Sequence, residues 1–328
     1  MKQKEGYIKQ EDRKKILLLT DDIRVHSGVA QIGREMVVNT SHRYNWVQLA
    51  GAVQHPEKGK RFDISEDTNK QVGIDDSSVI LYPTDGYGNP DILRQIISIE
   101  KPDAIFLITD PRYFTWVFQM ENEIRKNIPI AYLNIWDSFP APMYNKEFYE
   151  SCDALFGISK QTVNINKIVL GDKAEDKVIK YVPHGLNNKN FRLLEEETDE
   201  LKEFKKYITR DKEYDFTLLF NSRNIRRKSI PDAIAAWKLF TDSLTEEERN
   251  KCLFVLHTEP GSEHGTDLPA VIEYVMGVDD ETVLISNQKL HYSQMNYLYN
   301  MADAVILLST AEGWGLSLTE SLLTGTPF

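Results

Sequence analysis

The sequence predicts an α/β protein with two successive domains, each built around a parallel β-sheet. Short apolar runs alternate with amphipathic stretches along the chain, which is the pattern of parallel strands joined by helices. A polar segment rich in Glu and Lys interrupts the alternation at 194–214, after which the alternation restarts. A chain of 328 residues is long enough for two domains. We therefore expect a first domain over 1–193, a connecting helical segment over 194–214 and a second domain over 215–328.

Apolar runs bounded by polar residues predict the individual strands. In the first domain they span 15–19, 46–50, 79–82, 104–108, 130–135, 154–158 and 179–182, and in the second domain they span 216–220, 252–257, 282–285 and 304–308. Helical periodicity follows most of these runs and is clearest at 230–244, 268–276, 292–301 and 318–323. Ligand-binding residues are then expected where the strands end, at the carboxyl edge of each sheet.

Composition excludes several classes of partner. The net charge is −11 and the chain has no long basic tract, which argues against binding to a nucleic-acid backbone or an anionic membrane. The apolar run that starts at Ile16 is too short for a signal peptide or a transmembrane segment. Cys152 and Cys252 lie far apart, without metal-ligand spacing, and are expected to be buried free thiols. We therefore expect a cytoplasmic protein.

The segment EGWGLSLTESLLTGTP near the end of the chain carries the clearest chemical pattern. Glu312 and Glu320 are separated by seven residues, and Gly313 and Gly315 allow the backbone to approach a ligand closely. Ser317 and Glu320 match a capping box, which predicts the start of a helix. A helix start offers N–H groups to an anion, while carboxylates accept hydrogen bonds from hydroxyl groups. A phosphate flanked by two polyols describes a nucleotide sugar. A self-capped helix beside a solvated carboxylate would give the same short pattern.

The whole segment resembles the E-x7-E signature of glycosyltransferase family 4, which comprises retaining enzymes of the GT-B fold. The matching residues are Glu312, Gly313, Gly315, Leu316, Glu320, Gly325 and Pro327, with Trp314 where phenylalanine is usual. The resemblance implies two Rossmann-like domains that face a cleft, and a second domain that is incomplete because the sequence stops at Phe328. It also implies transfer of a hexose from a nucleotide diphosphate sugar to an unknown acceptor, without a cofactor or metal. Glu312 would then hold the sugar hydroxyls and Glu320 the ribose, with Gly313, Trp314, Gly315 and Leu316 also in the donor site.

Two other segments resemble donor-binding parts of this family. Arg223 and Lys228 match its G-R-x-x-x-x-K-G segment after the first strand of the second domain, where cations would neutralise the diphosphate. Gly28, in the segment HSGVAQ after the first strand, matches a glycine loop near the donor phosphates, although Ser27 replaces its first glycine. A solvated basic turn and an ordinary strand-to-helix connection are the alternatives for these two segments.

Two residues, His184 and Asp110, are expected on the acceptor side or at the hinge between domains, and Asp137 is expected to take part in catalysis. His184 lies in a Pro-His-Gly segment similar to the one that ends the first domain in this family, and Asp110 follows a predicted strand, where it could equally cap a helix. Trp136 stands where a histidine is common, so Asp137 would have to orient the sugar. This replacement leaves open an inactive homologue that acts as a nucleotide-sugar-binding module. A sugar-nucleotide epimerase is disfavoured because acid and base residues for it cannot be placed.

Overall fold

The computed structural model describes residues 5–328 and divides into two compact units after Gly185. The division falls before the predicted boundary at residue 193. Phe191, Phe204 and Ile208 are all buried in the core of the second unit. The helical segment predicted as a connector is therefore packed into the second unit.

The first unit contains an eight-stranded sheet in the order β3-β4-β2-β1-β5-β6-β7-β8. Its strands are β1 Lys14–Asp21, β2 Tyr44–Val53, β3 Phe62–Asp63, β4 Val79–Asp85, β5 Ala104–Ile108, β6 Ile130–Asn134, β7 Ala154–Gly157 and β8 Val178–Tyr181. All neighbours pair in parallel except β3, which is antiparallel to β4. The seven predicted strands are confirmed, and only the two-residue strand β3 was missed. The parallel pairing brings the carboxyl ends of the other strands to one edge of the sheet.

The helices of the first unit lie between its strands along the chain. They are α1 Gly28–Thr40, α2 Ser65–Val72, α3 Pro90–Glu100, α4 Thr115–Gln119, α5 Glu121–Ile124, α6 Lys146–Glu150 and α7 Lys160–Leu170. The side chains of Ser27, Asn89 and Ser159 accept hydrogen bonds from the first turns of α1, α3 and α7. The central strands are apolar on both faces, as expected for a parallel sheet covered by helices on each side.

The second unit contains a four-stranded parallel sheet in the order β11-β10-β9-β12. Its strands are β9 Phe216–Asn221, β10 Cys252–His257, β11 Val283–Ser286 and β12 Ala304–Val305, and its helices are α8 Asp199–Thr209, α9 Ile230–Asp242, α10 Glu246–Arg249, α11 Leu268–Met276, α12 Tyr292–Asn300 and α13 Leu316–Leu323. Leu219 and Phe220 alternate between its two cores. One core lies against α8 and α12 and the other against α9 and α11.

The two cysteine side chains lie in hydrophobic cores, one in each unit. Cys152 and Cys252 are both free and buried, as predicted. In residues 5–328, no helix is long and apolar enough to cross a membrane.

The loop after β9 is fixed by the buried side chain of Asn224. This amide donates hydrogen bonds to the backbone oxygens of Glu259 (3.1 Å) and Thr266 (2.7 Å), and it accepts one from the Thr266 N–H (3.0 Å). The close approach depends on Gly265, because a Cβ atom there would lie 2.1 Å from Asn224 Oδ1 and 2.3 Å from the Asn224 backbone oxygen.

We therefore expect Gly265→Ala to lower the free energy of unfolding by about 1–3 kcal/mol, because the added methyl group must displace backbone. Urea denaturation would measure the change. Gly261→Ala is the matched control, since a Cβ atom at residue 261 meets nothing within 4 Å. Equal stability of the two variants would contradict the tight contact at Gly265.

Candidate functional site

The carboxyl ends of β9 and β12 carry most of the predicted site residues of the second unit. β9 and β12 are neighbours in the sheet, so the loops that follow them lie side by side. The Thr310 N–H donates a hydrogen bond of 2.9 Å to the Arg227 backbone oxygen, which joins the two loops. Lys228 and Glu312 are thereby brought together although they are 84 positions apart in sequence.

Glu312 lies between two cations. The Lys228 Nζ atom donates a hydrogen bond to Glu312 Oε1, and Arg227 Nη1 lies 3.3 Å from Glu312 Oε2. The side chains of Lys228 and Glu312 are 11% and 21% exposed. Burial acts to raise the pKa of Glu312, but the hydrogen bond from Lys228 and the charges of Lys228 and Arg227 outweigh it, and the pKa is lowered. Glu312 is therefore a fixed, ionised acceptor of hydrogen bonds.

Arg227 was assigned no role from the sequence. Its guanidinium also donates a hydrogen bond of 2.5 Å to the backbone oxygen of Ala311, next to Glu312.

Arg223, which was predicted to act with Lys228, is 74% exposed, and its Nε atom lies 4.0 Å from Glu259 Oε1. In a run of basic residues, side-chain direction depends on the local turn, and here residues 226–228 form a short 3-10 helix. The sequence alone does not reveal this turn.

Glu320 lies in a different environment from Glu312. The residue is 7% exposed, and the hydroxyl group of Tyr299 donates a hydrogen bond of 2.6 Å to Glu320 Oε2. The Asn221 side-chain amide in turn donates a hydrogen bond of 2.8 Å to the Tyr299 hydroxyl oxygen. Burial raises the pKa of Glu320 to about 7, an effect that the hydrogen bond from Tyr299 offsets only in part. The two glutamates of the signature therefore differ in their protonation behaviour.

The predicted capping box at the start of α13 is wrong. The helix begins at Leu316 with Gly315 as its N-cap, and no side chain caps it. Gly315 has φ 78°, a left-handed conformation that favours glycine, and its backbone oxygen accepts a hydrogen bond from the Leu318 N–H at 3.0 Å. Glu320 turns instead toward Tyr299, because a buried carboxyl gains more from a hydrogen-bond donor inside the core. Trp314 is held beside the helix by its indole N–H, which donates to Thr319 Oγ1 at 2.8 Å.

Gly28 is the first residue of α1 in the first unit, directly after the cap residue Ser27. The Ser27 hydroxyl donates to Asp21 Oδ2 at 2.6 Å, and the Tyr87 hydroxyl donates to Asp21 Oδ1 at 2.8 Å. Burial is the main cause, with Asp21 second, of a raised pKa for Tyr87. Asp21 therefore fixes the loop that presents Gly28, a role that the sequence did not indicate.

Asp110 acts as a helix cap, one of the two roles that the sequence left open. Its carboxylate accepts a hydrogen bond of 2.9 Å from the Arg112 N–H at the start of a short 3-10 helix, and it also pairs with the Arg112 guanidinium at 2.5 Å. Burial acts to raise the pKa of Asp110, but the hydrogen bonds from Arg112 outweigh it and lower the pKa. These contacts account for Asp110 without a ligand.

The loop after β6 holds Trp136 through hydrogen bonds at both of its nitrogen atoms. The Trp136 backbone N–H donates to Asn134 Oδ1 at 3.0 Å, and its indole N–H donates to the Ser138 backbone oxygen at 2.8 Å. The Asp137 backbone oxygen accepts a hydrogen bond of 3.3 Å from the Gln161 amide. The indole N–H of Trp136 is therefore hydrogen-bonded within its own loop. Asp137 is the adjacent residue with an ionisable side chain.

His184 is 9% exposed, and burial lowers its pKa to about 4. The imidazole is therefore neutral at pH 7, which suits a hydrogen-bonding role and not a cationic one. In the part of the chain from residue 5 onward, no group of three or more His, Cys, Asp or Glu side chains is arranged to hold a metal ion.

Comparisons with known proteins identify the architecture. No protein-family model matches the chain, and no curated protein matches it. A sucrose-phosphate synthase from Thermosynechococcus elongatus is similar in structure, with a TM-score of 0.70 at 15% identity, covering 96% of this chain and 80% of that one. An α,α-trehalose 6-phosphate synthase from Burkholderia multivorans has a TM-score of 0.66 at 9% identity, with 95% and 81% covered.

A trehalose-6-phosphate structure from E. coli, bound with UDP-2-fluoro glucose, is also similar. It has a TM-score of 0.64 at 10% identity, and 95% of this chain and 82% of that chain are covered. At such low identities the likeness concerns backbone architecture. The chain therefore has the α/β architecture of the GT-B fold, with a Rossmann-like sheet in each of its two units.

Proposed function

We propose that this protein is a retaining glycosyltransferase that transfers a hexose from a nucleotide diphosphate sugar to a hydroxyl group of an acceptor. The observation that carries the proposal is the position of Glu312, held between Lys228 and Arg227 where β9 and β12 end. The E-x7-E pattern and the GT-B fold support the same assignment. The UDP-2-fluoro glucose bound to the E. coli neighbour indicates the class of donor to test first.

The cations would bind the diphosphate of the donor. Lys228 and Arg227 lie at the carboxyl end of β9, and Arg223 lies in the same loop. Negative charge on the diphosphate grows as the sugar bond breaks, so cations fixed at this position stabilise the transition state more than the bound substrate. Arginine also matches phosphate oxygens with two parallel hydrogen bonds. These residues would therefore act as leaving-group stabilisers.

The two glutamates would bind the two polyol parts of the donor. A carboxylate can accept about four hydrogen bonds, so Glu312 can remain paired with Lys228 and Arg227 and still accept hydrogen bonds from sugar hydroxyls. Glu320 would accept hydrogen bonds from the ribose. Gly313, Trp314, Gly315 and Leu316 would line the donor site, and Gly28 would approach the donor phosphates from its own loop.

The proposed transfer uses no side chain as a general base. The bond between the anomeric carbon and the diphosphate oxygen breaks while the acceptor oxygen bonds to the same face of the sugar. The departing phosphate oxygen takes the proton of the acceptor hydroxyl. A neutral His184 and a tryptophan at residue 136 are compatible with this route, and Asp137 would orient the sugar.

Glu312→Gln is expected to lower turnover by about 100-fold while UDP binding stays within a few-fold of wild type. The amide retains the size of the side chain but removes the charge that would act on the positive anomeric carbon. Release of nucleoside diphosphate from a panel of nucleotide sugars would measure turnover, and calorimetry would measure UDP affinity. Glu263→Gln, which alters an exposed glutamate, is the control. Equal losses of turnover and UDP affinity would contradict this role.

Treatment of wild-type protein with a chelator is expected to leave turnover unchanged. The proposed site supplies positive charge from Lys228, Arg227 and Arg223, which does the work of a divalent ion at the diphosphate. Activity that is lost with the chelator and regained with Mg²⁺ or Mn²⁺ would contradict metal independence. Nucleotide sugar that binds without any release of nucleoside diphosphate would overturn the enzyme assignment itself.

A further inference from the structure

The hydroxyl group of Tyr299 links three elements of the second unit inside the protein. Tyr299 lies on α12, is fully buried and contacts the ring of Phe191 edge-on, with centroids 6.0 Å apart. Its hydroxyl donates to Glu320 on α13 at 2.6 Å and accepts from Asn221 at the end of β9 at 2.8 Å. None of the sequence patterns that indicate the donor site includes Tyr299 or Asn221.

The direction of these hydrogen bonds follows from the chemistry of the groups. A phenol has one hydrogen to donate, and a primary amide nitrogen can only donate. Because the Asn221 nitrogen donates to the Tyr299 oxygen, the single hydrogen of Tyr299 is directed to Glu320 Oε2. One oxygen of the Glu320 carboxyl therefore has a fixed partner within the protein, which restricts rotation of the carboxyl group.

We propose that Asn221 and Tyr299 are positioning residues, which turn the Glu320 carboxyl so that it can accept hydrogen bonds from the ribose hydroxyls of the donor. This inference rests on the proposed function, because it concerns the same donor site. Tyr299 and Asn221 would act through Glu320 and would not touch the ligand. The arrangement predicts that loss of either hydrogen bond weakens nucleotide binding.

Tyr299→Phe tests the inference with the least change in packing, since the ring is retained. Affinity for UDP, GDP and ADP would be measured by calorimetry between pH 6 and pH 9. The nucleotide that binds the wild type most tightly is expected to bind the variant about tenfold more weakly, because the Glu320 carboxyl loses the hydrogen bond that orients it for the ribose. Tyr297→Phe is the matched control, because Tyr297 lies on the same helix and packs against Phe204.

The pH profile distinguishes positioning from a purely structural role. The hydrogen bond from Tyr299 lowers the pKa of Glu320 against the effect of burial. Loss of the hydroxyl should therefore move the midpoint of pH-dependent nucleotide binding to higher pH. A change of packing alone would weaken binding without moving this midpoint.

Asn221→Asp provides an independent variant that keeps Tyr299 in place. A carboxylate at residue 221 has no N–H donor and would attract the Tyr299 hydrogen away from Glu320, so binding should weaken about as much as in Tyr299→Phe. If Tyr299→Phe does not fold, Asn221→Asp decides the question. Wild-type affinity and an unchanged pH midpoint in the variants would overturn the positioning inference alone. Failure of the wild type to bind any of the three nucleotides would overturn the proposed function.

Discussion

Lys228→Met is expected to reduce turnover by about 10²–10³-fold, the largest effect that we predict for a single substitution. The side chain of Lys228 is 11% exposed and hydrogen-bonded to Glu312, so its charge acts in a region from which water is largely excluded. Methionine keeps most of the apolar stem but removes the charge proposed to stabilise the departing diphosphate. UDP affinity should fall as well, by about tenfold or more, because a charge-assisted hydrogen bond is lost.

Arg226→Met is the matched control for Lys228→Met. Arg226 lies in the same short 3-10 helix, and its side chain is exposed. The variant loses the same unit of positive charge from the same turn, so a general effect of net charge would appear in both variants. Comparable turnover in Lys228→Met and Arg226→Met would contradict the proposed role of Lys228 in stabilising the departing diphosphate.

The sheets were predictable from the sequence because the strands other than β3 contain a short apolar run, and polar residues bound that run. The runs at 104–108 and 252–257 coincide with β5 and β10, and the helix predicted at 268–276 coincides with α11. β3 was missed because two residues cannot establish a period. The division between the units was placed too late because burial of Phe191 and Phe204 in the second unit depends on tertiary contacts. A charged amphipathic helix has the same local pattern whether it connects domains or packs on one.

Residues of the candidate site were predictable where they match the family motif and follow a predicted strand. Both indicated Lys228 and Glu312, and the parallel pairing of β9 with β12 explains why the two residues meet. Arg227 and Tyr299 were missed for different reasons. The direction of Arg227 depends on a local turn, and a tyrosine on an amphipathic helix has the pattern of an ordinary core residue. The false capping box arose because S-x-x-E describes a spacing but not the backbone conformation of Gly315.

The stability of the protein is expected to depend on pH through Glu320, and Glu320→Gln should remove that dependence. An unperturbed glutamate has a pKa near 4.3, whereas burial raises the pKa of Glu320 to about 7 in the folded protein. The folded state therefore favours the protonated carboxyl. Its contribution to the free energy of unfolding is fully present below about pH 4.3 and is lost as the pH rises through about 7. A glutamine resembles the protonated form and cannot ionise.

Glu320→Gln should consequently be close to wild type in stability at pH 4 and more stable than wild type at pH 8, by about 4 kcal/mol at most. Nucleotide binding should change in the opposite sense, because ribose hydroxyls donate to the ionised carboxyl. UDP affinity of the wild type should rise as the pH increases through about 7, whereas that of the variant should remain weak and flat. Denaturation and calorimetry at the two pH values would measure both effects. A variant that is no more stable than wild type at pH 8 would show that Glu320 ionises without cost in the folded protein. A wild-type UDP affinity that does not change with pH would show that the Glu320 carboxyl does not bind the ribose.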